Sequence, residues 1–187
     1  MQIPFDVSYH FNDNLQEVPN FPNQMTQAVA FLKARLQLRE IHVTERLNML
    51  GLVGVLARIL GDLATAQLYL ITAIALSEQI GNHASKVINQ LRLAHVYQWQ
   101  HQYTISNNMF TTLVELCEQD SRFTTYLDFV YQHAGKNAFD QFQYRTAEAF
   151  FQKALTLRLQ KQDQELISAT ELALKITQQQ LGVAQVS

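Results

Sequence analysis

The sequence predicts an all-α chain built from antiparallel helical hairpins, and three observations carry that expectation. All three prolines, Pro4, Pro19 and Pro22, fall in the first 22 residues, so nothing beyond them removes a backbone donor or clashes inside a helix. Residues fit for burial recur at three- and four-residue steps, as in Leu63, Ala66, Leu70, Ala73, Ile74 and Ser77, while strand-like alternation is absent over any useful length. Finally, the pattern is punctuated. Gly61-Asp62 and Gly81-Asn82 each offer a helix stop followed by a helix start, and Gln119-Asp120-Ser121 and Lys161-Gln162-Asp163 are polar joints of the same kind.

Taken in order, residues 1–22 form an arm that mixes prolines and asparagines with Phe5, Tyr9, Phe11 and Phe21. It reads as extended, and four aromatics are costly to leave in water. The arm is expected to pack across the first helices; the sharper alternative seats it in a groove or swaps it to another molecule. Helices are expected near 23–41, 45–60, 63–80, 84–100, 103–118, 121–141, 144–160 and 163–181. In the last of them Leu166, Ala169, Leu172, Ala173 and Ile176 are read as facing inward, with a polar back that lets the helix close the stack. The expected organisation is an arm over 1–22, repeats over 23–160, and a capping helix and tail over 161–187.

An internal repeat sets the register. Ala66, Ser106 and Ala147 stand 40 and then 41 residues apart, and the bulky residues Leu70, Phe110 and Phe151 keep the same offsets. The small residue lets the two helices of a hairpin approach; the bulky one is expected to fill the gap between hairpins.

On these residues the chain resembles the tetratricopeptide repeat (TPR) family, in its long-period bacterial style. The family's Leu-Gly pair and the positions that follow it fall at Val53-Gly54, Ala57, Ala66, Leu70 and Ala73, then at Leu93-Ala94, Tyr97, Ser106, Phe110 and Leu113. The third copy is Ala134-Gly135, Ala138, Ala147, Phe151 and Ala154. The leading Trp and closing Pro of the family are missing from every copy. The resemblance implies a right-handed superhelix, an α-solenoid whose first helices line a concave groove. It places Arg58 of the first repeat, Arg92, His95 and Trp99 of the second, and Gln132, His133, Lys136 and Phe139 of the third along that groove as partner-binding candidates. Cations there suit an acidic group, and the aromatics supply apolar anchors.

Composition narrows the function. Of 187 residues, 48% are hydrophobic and 16% charged, and the net charge of -2 lacks the basic excess a phosphate-binding surface needs, so no nucleic-acid partner is expected. The longest apolar stretch, Met49 to Leu60, is interrupted by Gly51, Gly54 and Arg58 and is too short to span a bilayer, so no membrane partner is expected either. The first ten residues lack a basic start and an apolar run, which makes the cytoplasm the expected compartment.

Six histidines show no helical ligand spacing, Cys117 is alone, and no phosphate loop or nucleophile elbow is present, so neither metal, cofactor nor catalysis is expected. Glutamine, at 23 residues against 16 acidic ones, gives a polar surface with little charge, which leaves self-association into a homodimer open. The function expected is a non-catalytic protein- or peptide-binding scaffold. Its alternatives are a regulator responsive to signalling peptides, or a structural homo-oligomer whose arm lies in a groove.

Overall fold

The computed structural model describes residues 2–38 and 40–184; Met1, Arg39 and the last three residues of the expected tail lie outside them. The chain divides into two compact units, one ending at Gln100 and the other beginning at His101.

In the first unit the extended arm pairs with itself. Strands β1 (Tyr9–Phe11) and β2 (Glu17–Pro19) are antiparallel, with Tyr9 opposite Pro19 and Phe11 opposite Glu17. Asn12 shapes the turn, its side-chain carbonyl accepting from the amides of Asn14 and Gln16. Four helices follow: α1 (Pro22–Leu36), α2 (Val43–Ile59), α3 (Leu63–Gln79) and α4 (His83–Trp99). Their core joins Met25, Ala28 and Leu32 of α1 to Leu47, Met49 and Val53 of α2, with Ile3, Phe5 and Val7 of the arm laid against it. The Phe5 ring meets Phe31 edge-on at 6.1 Å, so the arm packs on its own helices.

Helix α1 stops five residues short of the expected end. The Arg46 guanidinium of α2 donates to the carbonyls of Leu36 and Leu38, satisfying groups that a longer helix would have bonded itself. The two glycine joints behave as expected. Gly61 and Gly81 take left-handed φ of 82° and 67°, and the next residues cap the following helices, Asp62 accepting from the Thr65 amide and Asn82 from that of Ser85.

The second unit holds α5 (Tyr103–Gln119), α6 (Leu127–Asp140), α7 (Tyr144–Lys161) and α8 (Gln164–Ala184). Helix α6 starts six residues later than expected. The Asp120 carboxylate grips both the amide and the guanidinium of Arg122, and the chain then makes a 3-10 turn at Thr124–Tyr126. Where the first repeat turns on Gly61, its equivalents His101 and Phe142 adopt left-handed φ of 56° and 60° despite carrying side chains.

The repeat register is visible in the burial. Ala66, Ser106 and Ala147 are fully buried, as are Leu70 and Phe151, with Phe110 nearly so. The bulky residues correct the sequence reading: they sit inside the hairpin. A Cβ on Gly54 would lie 2.4 Å from Leu70 Cγ, and one on Gly135 would lie 2.6 Å from Phe151 Cε1. Each glycine of the first helix is the socket for the bulky residue of the second.

Helix α8 is also rotated relative to expectation. Ile167, Thr170, Ala173, Leu174 and Thr177 are buried, whereas Leu172 is 41% exposed. The hydroxyls make this face possible: Thr170 and Thr177 donate to the carbonyls of Leu166 and Ala173, and Thr170 also accepts from Arg158. Among the described residues no helix is long and apolar enough to cross a membrane.

Candidate functional site

The first unit carries a cleft of about 640 Å³ between the N-terminal halves of α2 and α4, the first helices of two successive repeats. Glu45 and Asn48 line it from α2, and Ser85, Asn89 and Arg92 from α4. Glu45 is engaged at the rim by Arg35, 3.4 Å away.

Arg92 is half-buried here. Its Nη1 lies 3.2 Å from Asn89 Oδ1, and the Asn89 side-chain amine in turn donates to the Ser85 carbonyl, which fixes the amide with its oxygen toward the cation. Gly51 provides the room, since a Cβ there would stand 2.5 Å from Arg92 Nη1. Burial, together with the positive charge of Arg58, pushes the Arg92 pKa down, and an arginine remains cationic even so. Among the described residues no carboxylate pairs with it.

The face continues toward the ends of both helices. Arg58 stands seven residues beyond Gly51, and Trp99 seven beyond Arg92, so each pair shares a helical face. Arg58 is buried, with Nη1 2.8 Å from Glu17 Oε2 of the arm and its guanidinium 4.7 Å above the Trp99 ring. His95, also buried, meets the Trp99 ring edge-on at 6.1 Å. Arg58, Arg92, His95 and Trp99 are therefore neighbours on one face, but only Arg92 and Trp99 are more than marginally exposed.

In the second unit the candidates lie along α6. Gln132, Lys136 and Phe139 are buried at 5%, 4% and 6% exposure, and His133 is half-buried. Gln132 accepts from Arg158 at 3.1 Å, and Phe139 packs edge-on against Tyr144 at 5.2 Å. Arg158 is the hub of this unit. It pairs with the buried Asp128 at 3.2 Å and donates to the Leu166 carbonyl and the Thr170 hydroxyl of α8, while Lys161 also pairs with Asp128. Burial lowers the Arg158 pKa, and Asp128 opposes that shift. A second cleft, about 340 Å³, lies between α5 and α7 over α6, with Phe110 and Phe150 on its walls and Asn107 and Asn137 hydrogen-bonded to each other beside them.

Glu17, Asn89 and Arg158 were not read from the sequence as site residues. Asn89 lies one turn before Arg92, which would have marked it. Arg158 occupies the position of Ser77 and Cys117 in the repeat, 81 and 41 residues on, so the register itself predicted its burial. The Cys117 thiol is buried, and burial, aided by the Asp120 charge, raises its pKa and leaves it unreactive.

The hairpins, their small-residue sockets and their roughly 40-residue period define an array of TPR-like repeats. Solved structures agree. The chain superposes on the crystal structure of BtubC (BKLC) from P. vanneervenii with a TM-score of 0.64 at 15% identity, covering 84% of this chain and 66% of that one, just under two thirds of its length. It also matches the nearly identical TPR-like repeats assigned to a kinesin light chain of Podosopora anserina, with a TM-score of 0.59 at 17% identity over 88% of this chain and 83% of that one. A single-substitution variant of the latter gives 0.60. The fold is that of the TPR-like repeat proteins. The sequence matches no protein-family model and no curated protein.

Proposed function

We propose that the chain is a non-catalytic scaffold that binds a protein or peptide segment along the first helices of its hairpins, and that the segment presents an acidic group to Arg92. The observation that carries this reading is Arg92 itself: a half-buried cation in the wall of an open cleft, oriented by Asn89 and given room by Gly51, with no carboxylate of the described chain against it. Partly desolvating a guanidinium without a counter-charge is unfavourable, and a carboxylate from a partner would offset it through a charge-assisted, bidentate bond. Asn48 and Ser85 on the same walls can hold the backbone of an extended segment. TPR-like folds serve as interaction scaffolds, and BtubC and the kinesin light chain repeats share this architecture. The arm's contacts on Phe31 and Arg58 are made within the chain, which favours a scaffold over an oligomer built by arm exchange.

The test compares wild type with Arg92→Glu on an array of acidic, neutral and basic peptides, after checking that both have the same helicity. Wild type is expected to prefer acidic peptides, and the variant to lose or invert that preference. Identical profiles would sink the reading. Lys136 is left alone, because at 4% exposure a reversed charge there would be buried.

A further inference from the structure

We infer that the N-terminal arm is an intramolecular ligand of the α2–α4 face, and that a partner carrying a carboxylate displaces it by taking the place of Glu17 on Arg58. The juxtaposition is geometric. The open cleft ends at Arg92, and two helical turns further along the same faces, about 10 Å, stand Arg58 and Trp99. There the face is already occupied. Strand β2 lays Glu17 onto Arg58, whose guanidinium also lies over the indole of Trp99. The arm thus displays the chemistry this stretch accepts: an extended backbone bearing a carboxylate.

The attachment is suited to exchange. Strands of three residues form a hairpin that is marginal alone, so its position depends on what it docks against. A buried ion pair contributes little net stability over fully solvated ions, yet removing one partner and stranding the other is strongly unfavourable. Arg58 therefore resists being left bare but does not discriminate between one carboxylate and another. An incoming acidic segment can replace Glu17 without an uncompensated step, whereas a neutral or basic one cannot. This rests on the α2–α4 face being the binding face, as proposed above, and adds that the face is partly closed in the free protein.

The experiment uses Trp99, the sole tryptophan, as its reporter. The probe is a synthetic peptide with the sequence of residues 14–20, blocked at both ends so that Glu17 is its sole carboxylate, and the control carries Gln at that position. Full-length Glu17→Gln, verified for wild-type helicity, is expected to bind the acidic probe at least about tenfold tighter than wild type, because a closed arm lowers apparent affinity by the fraction of open molecules. The Trp99 emission should shift on binding, and the control peptide should bind more weakly. In wild type, excess acidic probe should speed hydrogen exchange at the Asn20 amide, which bonds to the Ser8 carbonyl, and leave α3 unchanged.

Equal affinity of both proteins, no binding by Glu17→Gln, or unchanged exchange at Asn20 would each overturn the inference. Equal binding that Arg92→Glu abolishes would leave the scaffold reading intact while the arm's role falls. Tighter binding by Glu17→Gln that survives Arg92→Glu would do the reverse.

Discussion

Each unit of this chain holds one non-repeat element in place with a buried arginine, and the two arginines are satisfied in different ways. In the first unit Arg58 meets one carboxylate of the arm and the face of Trp99. In the second, Arg158 of α7 binds Asp128, the Gln132 side chain, the Leu166 carbonyl and the Thr170 hydroxyl, reaching both α6 and α8. Two of those acceptors belong to α8, one of them a backbone group that no side-chain competitor replaces. A guanidinium with most donors assigned inside the fold is a permanent fastening. One held by a single side-chain carboxylate can trade it. Helix α8 and the arm both lie outside the three repeat copies, and on the inference drawn above the arm is the one held through a bond that a competitor can exchange.

The contrast predicts unequal damage. Arg158→Leu leaves Asp128, fully buried, with Lys161 alone and strips α8 of two hydrogen bonds. A loss of about 3–5 kcal/mol is expected in urea unfolding, with amide protection in α8 falling first. Glu17→Gln should cost less, about 1–2 kcal/mol, because a released arm lets water reach Arg58. If Glu17→Gln were the more damaging, the arm would be as structural as α8 and the distinction between the anchors would collapse.

The sockets sharpen the comparison at the level of packing. Gly54→Ala presses a methyl on the branched Leu70, and Gly135→Ala presses one on the rigid ring of Phe151. Overpacking outweighs the better helix propensity of alanine, and each substitution should lower stability by about 1 kcal/mol net. The ring yields less readily than the leucine, so the second unit is expected to suffer more. A thermal-melting comparison decides it, and equal losses would mean that both cores relax alike.

What the sequence revealed and what it hid follow from range. The small and bulky positions were legible because close helix packing admits few residue types at Ala66, Ser106 and Ala147. Gly61 and Gly81 announced their turns because a left-handed backbone suits glycine. His101 and Phe142 take the same conformation while carrying side chains that give no local signal of it. The candidate site was legible only as a face. Arg58 reads as a groove cation until Glu17, 41 residues away in sequence, is seen to bury it. Arg92 is half-buried in the cleft wall because Gly51 makes space on a helix two elements earlier, a relation that no local pattern expresses.

The smallest expected effect concerns the helix caps and separates the units by pH. The second helix of the first repeat is capped by Asp62; its equivalents, Gln102 and Gln143, make no side-chain cap bond to α5 and α7. Hydrogen bonding to Thr65 holds the Asp62 carboxyl below its ordinary value of 3.8, with Lys33 adding a little and burial opposing. A carboxyl with a depressed folded pKa contributes stability that is fully present above 3.8 and is lost as the pH falls through the lower folded value. The cap is largely exposed, so the loss is on the order of 0.5 kcal/mol and confined to the start of α3. The Thr65 amide resonance should titrate with a midpoint below 3.8, and Asp62→Asn, which still caps, should abolish that titration without melting the helix. A midpoint at or above 3.8 would mean that the cap bond contributes nothing to the charged form, and α3 would then start as α5 and α7 do, held by its packing alone.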